Sequence, residues 1–282
     1  MCELFALSSR IPTEVRFSFE AFSRRGGLGG RNKDGWGVAY YQDNDVRLLK
    51  EPEPAADSAC VRFLQEHPFA SSIVVSHVRR ATQGAPSMRN TQPFARELGG
   101  RMHVFAHNGD LDPAALRSRL ALGRWRPIGD TDSEHAFCAL LELLAPLWRL
   151  TQPAQEAAAP ELETRRDVVM RFAALLRELG PANFIYADGD ALFLHGHRRM
   201  HGDGLAAHPP GMHVLSRHCA SDPEPWHADG VIVAARAQQD VLLAASVPLT
   251  DESGWRALAE GELVVARNGW IVPRRITASP PA

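Results

Sequence analysis

Cysteine is scarce in this chain, and what there is carries no pairing pattern. The four residues, Cys2, Cys60, Cys138 and Cys219, stand far apart with no C-x-x-C spacing, which argues against a zinc knuckle or a disulfide framework. In a reducing compartment the last three read as buried small hydrophobes. A surplus of charge is equally lacking. With 31 basic against 33 acidic residues, the net charge of -2 gives no electrostatic reason to expect nucleic acid or an anionic membrane as partner. No apolar run approaches the roughly 18 residues that span a bilayer, and no basic-then-apolar leader opens the chain. A cytoplasmic protein is the expectation. There is no internal repeat. The late histidines, at 195, 197, 201, 208, 213, 218 and 227, lack i, i+4 pairing or a companion cysteine, so they read as surface and loop residues, with neither metal nor cofactor implied.

What remains is a chain of 282 residues, long enough for one large domain with a full core. CELFALS at 2–8 reads as a short apolar strand that ties down the N-terminus. A helix over 17–25 and a flexible GGLGG follow. The strands VAYY and VRLLKE form a hairpin, and a helix spans 57–67 with Asp57 or Ser58 as cap. SSIVVSH at 71–77 is a β-branched strand, and 101–106 is another. Helices are expected over 112–122, after Thr131 and over 168–180, with a low-complexity surface linker near 151–161. From Asn183 onward short strands dominate. Residues 1–275 then form a single domain, and 276–282 form a disordered tail.

Several places carry chemistry. If Met1 is trimmed, Cys2 holds a thiol and a free α-amine on one carbon, a nucleophile with its own base. The thiol ionises near about 8.5 and the amine near about 7.7–8.0, so at neutral pH part of the amine is free to take the thiol proton. Arg79 emerges from a buried strand, where a guanidinium can clamp a carboxylate with two hydrogen bonds; it is equally readable as a surface arginine. Asn108-Gly109 ends a strand, as a plain turn or as an oxyanion hole in which a side-chain amide and a backbone N–H both donate. Asp132 is a helix cap or a fixed anion. Trp36 and Gly37, at a loop-to-strand junction, form a hairpin entry with a core tryptophan or a close approach of backbone to a ligand.

Taken together, Cys2, HVRRATQG at 77–84, HNGD at 107–110 and TDSE at 131–134 resemble, in order and spacing, the class II glutamine amidotransferases, which are N-terminal nucleophile hydrolases. MCELFA, KDGWGVAYY, TQPFARELGGR, AHNG and SVPLT are similar to the stand-alone, YafJ-like branch of that family. The resemblance implies an α+β fold, a four-layer α/β/β/α sandwich of mostly antiparallel sheets. It also implies that Cys2 attacks the side-chain amide of glutamine through a thioester, with Asn108 and Gly109 as oxyanion hole. Arg79, with Ala81 and Thr82 beside it, would bind the substrate α-carboxylate, and Asp132 its α-ammonium group. Trp36 and Gly37 would wall the amide side. Arg80 and Gln83 stand where many members have Trp and His, so the pocket wall differs. The region beyond the linker reads as enough strand to finish the sandwich, which leaves two outlets: ammonia passed to a separate acceptor or peptidase partner, or simple hydrolysis of a γ-glutamyl bond. A γ-glutamyl hydrolase of thiol metabolism fits the same residues. A catalytically silent amino-acid-binding subunit would need Arg79 and Asp132 but no nucleophile. The purified chain should begin at Cys2; intact-mass measurement should find it lighter by one methionine residue, and a chain that always retains Met1 contradicts the reading.

Overall fold

Leu4 to Leu7, Ile73 to Val75 and Val241 to Ala245 are apolar at every position instead of at alternate ones. Runs of that kind suit strands covered on both faces. The computed structural model describes residues 2–17, 34–55, 58–80, 83–149, 158–201, 206–219, 225–235 and 237–274. In it, strand β1 (Glu3–Phe17) lies mid-sheet, antiparallel to β4 (Ala70–Val78) on one side and β12 (Gln239–Ala245) on the other. Beyond β4 come β2 (Trp36–Gln42) and β3 (Asp45–Glu51), a hairpin; beyond β12 come β9 (His213–Cys219) and β13 (Arg256–Ala257). The far half of β1 pairs with β11 (Val231–Ala234), itself paired with β10 (Trp226–Ala228). A second antiparallel sheet runs β15 (Trp270–Ile271), β14 (Leu263–Arg267), β8 (Leu192–His195), β7 (Asn183–Ala187), β6 (Arg101–Asn108), β5 (Phe94–Leu98).

Side-chain alternation sorts these strands into layers. Phe5, Trp36 and Val74 face outward and pack with Val61 and Leu64 of helix α1 (Ala59–Glu66). Leu4, Val75, Val104 and Ile185 fill the space between the sheets. Phe105 and Phe184 face the other way, toward Phe137 of α3 (Asp132–Arg149) and Phe172 of α4 (Leu162–Arg177), with Leu116 of α2 (Pro113–Arg119) at the edge. Each fully buried large apolar side chain contributes about 1.5–3 kcal/mol, so the layers hold the strand ends firmly. The fold is α+β, with helices on the outer faces of two packed antiparallel sheets.

Some local expectations need correcting. β1 is 15 residues long, not a short strand. Its polar, proline-containing middle breaks the apolar pattern, and the pairing with β4 shifts register between Ser8 and Thr13. Gln239 bridges that irregularity, with Oε1 accepting from Ile11 N at 2.8 Å and Nε2 donating to Ile11 O and Thr13 Oγ1 at 3.0 Å each. β5 went unforeseen because ARELGGR carries no run of apolar residues. Phe17 ends β1 instead of starting a helix; residues 18–25 and the GGLGG stretch lie outside the described residues, as do 151–157 of the linker and the tail from 275. His195 and His197 are buried, not superficial, because β8 runs beneath α4. Their rings are paired there: His195 Nδ1 with Ala182 O at 2.7 Å, and His197 Nδ1 accepting from Ala182 N at 3.2 Å. Replacing Gln239 by Leu should leave buried backbone groups of β1 unpaired and lower unfolding stability by about 1–3 kcal/mol; an unchanged urea midpoint would show that the bridge contributes nothing.

Candidate active site

An antiparallel register fixes what lies opposite the chain's beginning. Glu3 pairs with Val78 and Leu4 with His77, so Cys2 meets the residues just past the end of β4. Its sulfur is seated on the backbone of Arg80, accepting from Arg80 N at 3.2 Å and donating to Arg80 O at 3.3 Å. Asn108, the last residue of β6, donates its side-chain amide to Cys2 O at 2.6 Å. Asn183 in turn donates to Asn108 O at 3.0 Å. Next in chain, Gly109 is forced by packing: a Cβ there would lie 1.7 Å from Pro181 O.

Behind Cys2 the chain carries a buried ion pair. Glu3 Oε1 accepts from Arg199 Nη2 at 2.9 Å, and Leu4 N donates to Ser246 Oγ at 2.9 Å. Burial raises the Glu3 carboxyl above its usual range, against the pull of Arg199. A pair this deep is weak evidence of stability, since desolvation offsets the attraction; its clear effect is to leave the strand one placement.

Arg79 is buried and its guanidinium faces backbone carbonyls, with Nη2 donating to Gln83 O at 2.8 Å and Gly84 O at 2.9 Å. Asp132 opens α3. Thr131 Oγ1 caps that helix by accepting from Glu134 N at 3.3 Å, which frees the Asp132 carboxylate from capping. It accepts instead from Leu111 N and Ser133 N, each at 2.8 Å.

Cys2, Arg79, Gln83, Gly109 and Asp132 line one cavity, with His107, Ser133 and Gln92 in its wall. Its volume is about 30 Å³, room for roughly one water, so an amino acid enters only as side chains move apart. Gln83 is the loosest of them, held by hydrogen bonds of 3.3 Å to Asp110 Oδ1 and Leu111 O. A larger cavity of about 480 Å³ lies by Tyr41, Arg47 and Phe69 and contains none of these residues.

Half-buried in this pocket, the Cys2 thiol is pushed up to about 11 by burial, more than the Arg80 backbone and the Arg79 charge pull it down. The thiol is therefore neutral at physiological pH and needs a base beside it. His77, opposite Leu4, has neither ring nitrogen hydrogen-bonded among the described residues, and burial drives it down to about 3. It stays neutral and donates no charge to the site.

Of the residues expected from sequence, Cys2, Arg79, Gly109 and Asp132 share the cavity, and Asn108 touches the Cys2 backbone. Ala81 and Thr82 lie outside the described residues. Trp36 does not wall the cavity: its position on β2 turns the ring to the outer face, where it is fully buried with Phe5 and Val78. Gly37 acts at one remove, since a Cβ there would meet Gln92 O at 2.3 Å. Gln92, His107, Ser133 and the Glu3–Arg199 pair went unassigned. The histidine and serine were in view as neighbours within HNGD and TDSE, whereas Gln92 and Arg199 reach their partners only through the fold. No group of three or more His, Cys, Asp or Glu that could hold a metal occurs among the described residues, and no described helix is long and apolar enough to cross a membrane.

In a chain that keeps Met1, alkylation of Cys2 by iodoacetamide should keep accelerating toward pH 11, while a trimmed chain should react at neutral pH through its new α-amine. Identical pH profiles for the two forms would contradict this.

Comparison with known proteins bears on the family. The family profile described as class-II glutamine amidotransferases matches residues 1–281. The "Putative glutamine amidotransferase YafJ" of Escherichia coli K12 is 34% identical over 262 residues, covering 93% of this chain and 96% of that protein. A crystal structure titled as a predicted glutamine amidotransferase from Pseudomonas aeruginosa superposes with a TM-score of 0.69 at 31% identity, covering 96% of this chain and all of that one. The Bacillus subtilis glutamine phosphoribosylpyrophosphate amidotransferase shares the fold, with a TM-score of 0.56 at 15% identity over 96% of this chain and 48% of that one. The chain belongs to the class II glutamine amidotransferases.

Proposed function

We propose that the protein hydrolyses the γ-amide of glutamine or of a γ-glutamyl compound through a thioester on Cys2, after loss of Met1. The observation that carries this reading is that Cys2, Arg79, Gly109 and Asp132 line one cavity. Glutamine carries a carboxylate and an ammonium at one end and the amide at the other, so one fixed cation, one fixed anion and a nucleophile match its charged and reactive groups.

In the first step the Cys2 α-amine takes the thiol proton and sulfur bonds to the amide carbon. The carbonyl oxygen becomes an oxyanion. Asn108 has two amide hydrogens; one is held by Cys2 O, and the other, with the Gly109 N–H, is available to that oxygen. Collapse breaks the carbon–nitrogen bond, and the departing nitrogen takes the proton from the α-ammonium. Water then attacks the thioester, releasing a glutamyl carboxylate and restoring the thiol. Arg79 would bind the α-carboxylate once its fork turns from the loop carbonyls, and Asp132 the α-ammonium. Residues 1–275 act as one domain, in a reducing compartment such as the cytoplasm, and ammonia is released or taken by a separate acceptor protein.

A screen of γ-glutamyl donors with glutamate release as readout tests the reading and separates glutamine from larger γ-glutamyl amides, including those of thiol metabolism. Asn108→Ala should cost about 2.7–4 kcal/mol in kcat/KM. A glutamine-like diazo-ketone should label the native chain and not Cys2→Ala. Equal labelling of both, or no glutamate from any donor, would favour a silent binding subunit.

A further inference from the structure

Phe105 on β6 faces the helices, so two residues on, by strand alternation, His107 projects toward the first turn of α3. It is buried, and its Nδ1 lies 2.9 Å from Ser133 Oγ. Ser133 Oγ donates to Asp132 Oδ1 at 3.3 Å, and Ser133 N donates to the same oxygen at 2.8 Å. The other carboxylate oxygen accepts from Leu111 N at 2.8 Å. A carboxylate offers about four acceptor positions. Three are filled from behind, which leaves one for a cation in the cavity.

We propose that His107 is a positioning residue which, through Ser133, holds the Asp132 carboxylate in place for the substrate's ammonium group. The assignment rests on the proposed amide hydrolysis for the identity of that ammonium. A serine hydroxyl has one hydrogen. Given to Asp132, it requires His107 to donate from Nδ1; without that ring, the hydroxyl is free to turn away and the carboxylate loses its side-chain support. Burial holds the His107 ring below its ordinary pKa, against the pull of Asp132, so the ring stays neutral and does not compete with an incoming ammonium. Its second nitrogen, Nε2, is buried 2.9 Å from where a Gly109 Cβ would stand, and the Pro181 backbone also pulls the ring's pKa upward without overcoming burial.

The test compares kcat/KM for L-glutamine and for 4-carbamoylbutanoate, which lacks only the α-amino group, in the wild type, His107→Phe, His107→Asn and Ser133→Ala. His107→Phe and Ser133→Ala should lose about tenfold of the preference for glutamine, the worth of one hydrogen bond to a charged group, with little change toward the analogue. His107→Asn, which keeps a donor near the Nδ1 position, should retain most of the preference. Melting curves confirm folding, and folded variants that keep the wild-type preference overturn the proposal. If the wild type cleaves neither amide, the proposed hydrolysis fails, and calorimetric titration with L-glutamate against glutarate reads the same preference without turnover. The same loss of preference there sustains the role of His107, while equal preference, or no binding of either ligand, overturns it.

Discussion

The pairing of β1 with β4 is the constraint on which the site depends. It places the first residues of the chain opposite the last residues of a buried strand, and the Cys2 sulfur comes to rest on both backbone polar groups of Arg80. A chain terminus would ordinarily fray. Here Glu3 is buried on Arg199 and Leu4 is tied to Ser246, so the strand is held from its first paired residue. Slipping the register by one residue would turn Leu4 and Phe5 to the wrong faces, and both faces are filled.

From that constraint the rest of the site follows as a meeting of element ends. Arg79 follows β4, Asn108 closes β6, and Asp132 opens α3. Each of these positions lies at or just past the end of its element, while the packed layers behind it hold that end in place. Electrostatics then favour neutrality at rest, because burial outweighs the nearby Arg79 charge at Cys2. A thiol so placed is neutral at physiological pH. On the proposed mechanism, removal of Met1 supplies a base on the same carbon and turns a structural anchor into a nucleophile.

Much of this was legible in the residues. Continuous apolar runs marked the central strands, Ser58 or its neighbour Asp57 marked the start of α1, and the family resemblance carried by the motifs picked out Cys2, Arg79, Gly109 and Asp132, which line the cavity. What stayed hidden depends on long-range contact. Trp36 looked like a wall because glycines flank it, yet the parity of β2 sends it outward. His195 looked superficial because no local pattern shows that a helix covers it. Arg199 and Gln92 meet their partners across distances in sequence that no periodicity encodes.

The central claim is that a glutamyl group is carried on Cys2. Acid quenching during turnover of a γ-glutamyl donor, followed by mass spectrometry of the N-terminal peptide, measures it directly. The account predicts a glutamyl adduct on Cys2 that hydroxylamine removes. Turnover with no adduct, or with an adduct on Cys60, Cys138 or Cys219 instead, would contradict it.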